Sequence, residues 1–217
     1  MLQKTLGFSA NASMDVEKLI VGGHSFGGMS AVYTAYREER VKAVFGFDAW
    51  VWSVLAKVYA SKFIVKQPQY QIVTEYFAPL VQEAFNFDEF TEIEREMKDS
   101  YEEAVQRGAT PPKQELIMLR GTNHLHQHDS YLLDPLLAYL RLNMWPDLNV
   151  GEIYLLNSQC FIKFLHDIDF HNGTFDIKDI EKNIDKHKEN YLTWVYTSAE
   201  YKEKRQKDEE AGGGAAA

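Results

Sequence analysis

The sequence predicts an α/β fold in which a parallel β-sheet is flanked by helices. Short apolar runs alternate with amphipathic helical patterns along the chain, an order typical of βαβ units. The length of 217 residues accommodates one domain rather than two. No apolar run reaches the roughly 18 residues that a transmembrane helix needs, so we expect no membrane-spanning segment.

Three strands are predicted in the first third of the chain. The first, over 18–23, is an apolar run that includes β-branched residues, and a glycine-containing turn and a helix to about residue 37 follow it. The second strand is predicted over 41–47. The third, over 70–74, is entered through Gln67-Pro68.

Helices dominate the predicted second half. A charge-rich amphipathic segment at about 88–107 predicts a long helix, and the apolar run 115–119 predicts a fourth strand. Further helices are predicted at about 130–144, 151–167 and 177–190, the first of them rich in leucine. Strands that are separated by helices in this way favour parallel pairing.

The acidic charge and the single cysteine limit the classes of partner and compartment. A formal net charge of −9 argues against nucleic acid as a partner, whereas a neutral lipid surface stays compatible with it. Cys160 is the only cysteine, so the chain forms no internal disulfide and needs no oxidising compartment. Its apolar helical neighbours indicate a core position. We expect a cytoplasmic protein, with secretion or an organelle as alternatives because the natural N-terminus could lie upstream.

The stretch Gly23-His24-Ser25-Phe26-Gly27 carries the strongest chemical signal. It is a Gly-x-Ser-x-Gly sequence between a predicted strand and a predicted helix, the setting in which this motif holds a nucleophilic serine. The turn forces Ser25 into a strained conformation, and we expect side chains at the flanking glycine positions to collide with the neighbouring strand and helix. Ser25 would then lie at the positive end of the helix, where a developing oxyanion is stabilised.

A nucleophilic serine needs a base, and the base needs a carboxylate that orients it. Useful side chains gather at the carboxyl ends of parallel strands. Asp48 follows the second strand and His124 follows the fourth, which gives the chain order Ser, Asp, His of the α/β-hydrolases. Glu75 follows the third strand and is the alternative acid, and Asp48 could instead cap the N-terminus of a helix.

Three alternating histidines, His124, His126 and His128, complicate the choice of base. On an extended segment they would share one face, where together with Asp129 they could hold a metal ion. A triad needs one imidazole, and His124 comes first after the turn at Gly121. We therefore assign the base to His124, with His126 as the alternative, and we expect no metal.

Several motifs together resemble the platelet-activating factor acetylhydrolases, a family within the α/β-hydrolase superfamily. The resemblance runs from about residue 14 to residue 167. It rests on four stretches: Gly23-His24-Ser25-Phe26-Gly27-Gly28, Phe47-Asp48-Ala49-Trp50, Gln67-Pro68 with Thr74-Glu75-Tyr76-Phe77, and Arg120-Gly121-Thr122-Asn123-His124.

The resemblance implies a calcium-independent phospholipase that needs no cofactor and removes acetyl or short oxidised acyl groups from the sn-2 position of phospholipids. It implies Ser25 as the nucleophile, Asp48 as the acid, His124 as the base and the backbone N–H of Phe26 as a donor to the oxyanion. It also suggests that the leucine-rich segment Pro135–Leu142 touches lipid surfaces. We expect residues 1–200 to be the C-terminal part of one α/β-hydrolase domain, and 201–217 to be a charged, low-complexity tail.

The chain departs from the family pattern at its start, because only about 17 residues precede the strand that leads to Ser25. We therefore expect a partial α/β-hydrolase fold that lacks the N-terminal strands. The first strand would then have an open apolar edge, which a missing N-terminal segment or a partner chain would cover. The alternative function is that of a catalytically impaired structural subunit of a larger assembly.

Overall fold

The computed structural model describes residues 15, 17–77, 88–127, 149–170 and 176–212. Within these ranges five strands form one sheet in the order β1-β2-β3-β4-β5, and helices pack on both of its faces. The predicted α/β class with a largely parallel sheet is confirmed. The strands are β1 (Leu19–His24), β2 (Val41–Phe47), β3 (Gln69–Thr74), β4 (Gln114–Leu119) and β5 (Leu192–Thr197). The helices are α1 (Phe26–Arg37), α2 (Leu55–Tyr59), α3 (Glu89–Gln106), α4 (Val150–Asp167), α5 (Ile177–Tyr191) and α6 (Ser198–Gly212), with 3-10 turns at Val51–Val54 and His124–Gln127.

Parallel pairing brings the ends of the first four strands to one edge of the sheet. His24 lies opposite Phe47, Phe47 opposite Ile72, and Thr74 opposite Leu119. The residues that follow β1, β2 and β4 therefore leave the sheet on the same side. This is the edge at which the sequence analysis places its candidate site.

Two apolar cores lie on opposite faces of the sheet, because side chains alternate between the faces along each strand. One core joins α1, the segment after β2, and α3; its members include Met29, Val32, Phe63, Ile93 and Met97. The other joins α4 and α5; its members include Tyr70, Ile72, Leu156, Phe164 and Ile184. Cys160 belongs to the second core, as predicted, and burial raises the pKa of its thiol to about 12.

The C-terminal part of the chain differs from the sequence prediction. The strand β5, which the sequence does not predict, pairs antiparallel to β4. The helix α6 follows directly and runs across the expected domain boundary between residues 200 and 201, and Tyr201 packs against the first core. The division into a domain and a tail thus remains a prediction.

Two further expectations concern membranes and the open edge of β1. Among the helices that the structure describes, none has the length and apolar character needed to cross a bilayer. The leucine-rich segment predicted to touch lipid, Pro135–Leu142, lies outside the described residues. Within the described part of the chain β1 pairs only with β2, so a segment or partner chain that covers its other edge remains a prediction.

A buried polar network lies between α3 and the start of β3. The carboxyl group of Glu96 accepts hydrogen bonds from Gln69 Nε2, at 3.1 Å to each oxygen, and from Ser100 Oγ at 2.8 Å. The backbone N–H of Val65 donates to Ser100 Oγ at 2.9 Å. Loss of hydration on burial raises the pKa of Glu96 from 4.5 to about 8. The folded protein therefore favours the protonated form of this side chain at neutral pH.

Replacement of this side chain by an amide, Glu96→Gln, should flatten the pH dependence of stability. Because the folded-state pKa is raised, the contribution of Glu96 to stability is fully present below pH 4.5 and is lost as the pH rises to about 8. The wild-type protein should lose a few kcal/mol of unfolding free energy over this range, since one pKa unit corresponds to about 1.4 kcal/mol. Urea denaturation at about pH 5 and about pH 8 measures the difference.

The matched control is Glu94→Gln, which removes a carboxylate from the same helix that pairs with Lys98 at the surface. This variant should show the same pH dependence of unfolding free energy as the wild-type protein. If the unfolding free energy changes with pH equally in Glu96→Gln and in the wild-type protein, the network does not titrate in this range.

Candidate active site

Ser25 occupies a sharp turn between β1 and α1, in a backbone conformation that serine rarely adopts. Its φ and ψ angles are 58° and −128°, and such strain persists only where surrounding contacts enforce it. Three hydrogen bonds do so here. Ser25 N donates to Phe47 O at 2.8 Å, while Ser25 O accepts from Met29 N at 3.2 Å and from Trp50 N at 3.1 Å. The turn is thereby fixed to the end of β2.

The glycines around Ser25 differ in why they are needed. A Cβ atom on Gly23 would lie 2.6 Å from backbone atoms of Gly27, and one on Gly28 would lie 3.0 Å from the carbonyl oxygen of Gly23. A Cβ on Gly27 would meet no atom within 4 Å. The collision predicted for the flanking positions therefore occurs at Gly23, but the prediction is wrong for Gly27. On the C-terminal side the close approach falls one residue later, at Gly28.

Asp48 follows β2 and is completely buried beside the turn. Its Oδ1 accepts from Thr74 N at 2.6 Å, and its Oδ2 accepts from Thr74 Oγ1 at 2.9 Å. Oδ2 also lies 3.1 Å from Nδ1 of His124. The carboxylate thus has partners on both oxygens, as a buried carboxylate requires. It makes these contacts instead of capping the 3-10 turn at Val51–Val54, whose N-cap residue is Trp50.

His124 connects Asp48 to Ser25. Its Nε2 lies 3.0 Å from Ser25 Oγ, and its Nδ1 faces Asp48 Oδ2. Because a carboxylate only accepts hydrogen bonds, Nδ1 carries the hydrogen, and Nε2 is left to accept from the serine hydroxyl. The structure therefore brings together the three residues that sequence reasoning selected, in the order serine, imidazole, carboxylate.

Two aromatic rings hold the imidazole of His124 in place. Phe77 stacks on one side, with ring centroids 4.3 Å apart and an angle of 13° between the planes. His24 lies at a centroid distance of 4.3 Å, and its Nε2 donates to the carbonyl oxygen of His124 at 3.2 Å. Both residues belong to the motifs that resemble the family, but the sequence alone assigns neither of them a role. Their contacts with the His124 ring and backbone arise from tertiary packing, so their positions in the sequence carry no local signal for this role.

Glu75, the alternative acid, supports the loop that carries His124. Its Oε2 accepts from the backbone N–H of Gly121 at 2.8 Å, where φ is 69°. Tyr76 N donates to Thr122 O at 3.1 Å in the same loop. The geometry therefore gives Glu75 a supporting position in the turn and places Asp48 against the imidazole.

His126, the alternative base, is buried and has a different partner. The chain forms a 3-10 turn at His124–Gln127 instead of an extended segment, so the two histidines do not share a face. His126 Nδ1 accepts from Asn123 N at 2.9 Å, and burial lowers the pKa of the imidazole to about 4. The ring is therefore neutral at physiological pH. His128 and Asp129 lie outside the described residues.

One group of side chains in the described ranges could in principle hold a metal ion. It consists of His24, Asp48 and His124, whose ligand atoms all lie within 4.8 Å of one another. Both nitrogens of the His124 ring already face hydrogen-bond partners within this arrangement. A metal ion would have to displace the contact to Ser25 or to Asp48. The two ring nitrogens of His124 join Asp48 to Ser25 in a hydrogen-bonded chain without a metal ion.

A cleft of about 610 Å³ runs along α1 from Phe26, the residue that follows Ser25 in the chain. One wall is α1, and the other is the segment from Trp52 to Lys57. The carbonyl oxygen of Ser25 accepts from Met29 N in α1 and from Trp50 N, shortly before the second wall. Phe26 is 60% exposed and Trp52 is 45% exposed, so large apolar side chains are presented to whatever enters. The cleft therefore presents an apolar surface along α1.

The different environments of the two glycines lead to a stability prediction. Gly23→Ala should lower the free energy of unfolding by about 1–3 kcal/mol, because its Cβ would overlap backbone that cannot move without opening the turn. Gly27→Ala adds the same methyl group in open space and should change stability by less than about 1 kcal/mol. Chemical denaturation of the two variants measures both values. Equal losses would contradict the assignment of the close contact to Gly23.

Comparison with known proteins identifies the family of this chain. The model of the family described as platelet-activating factor acetylhydrolase, isoform II, matches residues 8–190. The bovine (Bos taurus) platelet-activating factor acetylhydrolase is 34% identical over 65 residues, which cover 30% of this chain and 14% of that protein. The resemblance inferred from the motifs is confirmed by the family match over most of the sequence. The chain belongs to the platelet-activating factor acetylhydrolase, isoform II, family.

Proposed function

We propose that this chain carries the active site of a serine esterase that removes short or oxidised acyl groups from the sn-2 position of phospholipids. The observation that carries the proposal is the hydrogen-bonded chain from Asp48 through His124 to Ser25, with contacts of 3.1 and 3.0 Å. Membership of the family supports a hydrolase that acts on lipid esters. The choice of phospholipid substrate draws on the name of the bovine relative and is part of the proposal.

In the proposed acylation step, Ser25 Oγ attacks the carbonyl carbon of the sn-2 ester. The hydroxyl proton moves to His124 Nε2, and the resulting imidazolium is stabilised by Asp48, which keeps its negative charge. The two hydrogen bonds from Thr74 hold that carboxylate in the orientation that His124 needs. The contacts of the Phe77 and His24 rings keep the imidazole aligned with both partners during the transfer.

The negative charge that develops on the ester oxygen is bound at the N-terminal end of α1. Phe26 is the first residue of this helix, so its N–H has no partner within the helix and points towards the end where the dipole is positive. We assign it as one donor to the oxyanion. The imidazolium of His124 then gives its proton to the oxygen of the lysophospholipid, which leaves as an alcohol.

Deacylation repeats these steps with water as the nucleophile. His124 takes a proton from the water, which attacks the acyl group on Ser25, and the short carboxylate is released as the serine recovers its hydrogen. Both the nucleophile and the base come from the chain itself. We therefore propose a calcium-independent reaction that needs no cofactor.

Covalent labelling of the full-length protein tests the nucleophile. A fluorophosphonate probe should modify the wild-type protein at Ser25, and Ser25→Ala should abolish both the label and the hydrolysis of p-nitrophenyl butyrate. Ser30→Ala is the matched control, because Ser30 lies one turn further along α1 and donates to Phe26 O at 2.8 Å. It should retain labelling. A folded wild-type protein that forms no adduct would favour the structural-subunit alternative.

The roles of the two carboxylates can be separated by amide substitutions. Asp48→Asn should lower kcat by about 10⁴-fold, because the amide favours the wrong tautomer of His124 and does not stabilise an imidazolium. Glu75→Gln keeps an oxygen that accepts from Gly121 N and should lower kcat by less than about tenfold. Steady-state kinetics on p-nitrophenyl butyrate measures both. A larger loss for Glu75→Gln than for Asp48→Asn would reverse the assignment.

A further inference from the structure

A buried amide interrupts the apolar face of α4 that packs in the second core. Asn157 is 3% exposed, and its neighbours on this face, Ile153 and Cys160, are members of that core. A polar side chain in such surroundings costs free energy unless it is hydrogen-bonded, so its contact indicates what it does. Its Nδ2 donates to the side-chain oxygen Oε1 of Gln127 at 2.5 Å.

Gln127 belongs to the turn that carries the candidate base. It is the last residue of the 3-10 turn whose first residue is His124. Hydrogen bonds hold this turn together internally, since His126 N donates to Asn123 O at 2.9 Å and Leu125 N donates to Asn123 Oδ1 at 3.1 Å. Because the turn is a compact unit, an anchor at its last residue also orients its first.

The contact with α4 complements two contacts at the start of the same loop. Glu75 Oε2 accepts from Gly121 N at 2.8 Å, and Tyr76 N donates to Thr122 O at 3.1 Å. Both contacts tie the loop to the segment after β3, and both precede the catalytic imidazole in the chain. Asn157 ties the other end of the loop to α4. The imidazole is therefore carried between two anchored ends.

This amide pair is a poor source of stability. Within the described part of the chain, Asn157 Oδ1 and Gln127 Nε2 are buried without a hydrogen-bond partner. Each amide thus satisfies one polar atom and leaves another unpaired, which costs free energy. Two apolar side chains of the same shape would fill this space without that cost. What the pair supplies is a directional contact between a core helix and the catalytic loop.

We propose that Asn157 is a positioning residue, which fixes the turn that carries His124 and keeps its imidazole in line with Ser25 and Asp48. The inference rests on the proposed function, because it takes His124 as the general base. Proton transfer depends on the contacts of 3.0 and 3.1 Å that this ring makes. A misplacement of about 1 Å can slow a reaction about 100-fold. Since Asn157 acts through the loop, its loss should lower kcat and leave KM unchanged.

The test replaces both amides by apolar side chains of similar shape in the full-length protein. Asn157→Leu/Gln127→Met should lower kcat for p-nitrophenyl butyrate by about tenfold or more and keep KM within about twofold. Fluorophosphonate labelling of Ser25 should slow by a similar factor, because it needs the same base. The midpoint of urea denaturation should equal or exceed that of the wild-type protein, because the unpaired polar atoms are removed. A role in stability alone predicts a lower midpoint.

The single variants show whether the two residues act as a pair. Asn157→Leu and Gln127→Met break the same contact, so the double variant should be no slower than the slower of the two. Losses of kcat that multiply in the double variant would show that the amides act independently and would overturn the inference.

A second amide pair of α4 supplies the matched control. Asn183 Nδ2 in α5 donates to Gln159 Oε1 at 2.5 Å, a contact of the same type that does not involve the turn. Gln159→Met/Asn183→Leu should keep kcat within about twofold of the wild-type value. An equal loss of kcat in this control would overturn the inference. A loss of both kcat and stability in Asn157→Leu/Gln127→Met would also overturn it, because the pair would then serve the fold.

The outcomes separate this inference from the proposed function. A wild-type protein that does not hydrolyse the ester, or whose activity survives Ser25→Ala, contradicts the proposed function itself. Ser25-dependent hydrolysis by the wild-type protein, with kcat unchanged in Asn157→Leu/Gln127→Met, contradicts only the role of Asn157.

Discussion

The burial of the Asp48 carboxylate is the constraint on which the rest of the site depends. A charged side chain with no exposed surface is tolerated only where both of its oxygens have donors. Thr74 supplies two of these donors from the end of β3, and His124 supplies the third from the loop after β4. The same requirement therefore fixes the relative positions of three strand ends.

The backbone conformation of Ser25 follows from this arrangement of the strand ends. Because β1 and β2 pair in parallel register, His24 lies opposite Phe47, and the residues after them leave the sheet side by side. Ser25 and Asp48 both have positive φ angles, of 58° and 45°. Each turn is held by backbone hydrogen bonds to a neighbouring strand, from Ser25 N to Phe47 O and from Asp48 N to Ile72 O. The strain at both residues is thus supported by the sheet and not by the loops alone.

Much of the sheet and of the candidate site could be predicted from the sequence, because the informative signals are local. Apolar runs bounded by turn residues identify β1 to β4, and the motif around Ser25 has meaning only between a strand and a helix. The positions of Asp48 and His124 follow from the rule that the carboxyl ends of parallel strands share one edge. The structure places both at that edge, within reach of Ser25.

The remaining features depend on contacts between distant parts of the chain. The strand β5 exists because Leu192 and Tyr196 become buried against β4, while its short sequence between two charged helices gives only a weak periodic signal. The packing of His24 and Phe77 against His124 joins the end of β1 to the segments that follow β3 and β4. The open space at Gly27 likewise reflects where α1 leaves the turn, which a motif does not encode.

The buried position of Cys160 has a practical consequence for chemical studies. It is the only cysteine of the chain, its side chain lies in the core, and burial raises the pKa of the thiol to about 12. Maleimides and other thiol reagents attack the thiolate, so the folded protein presents almost nothing for them to modify at neutral pH. A single cysteine introduced on the surface would therefore accept a fluorophore or spin label selectively, with the native residue left in place.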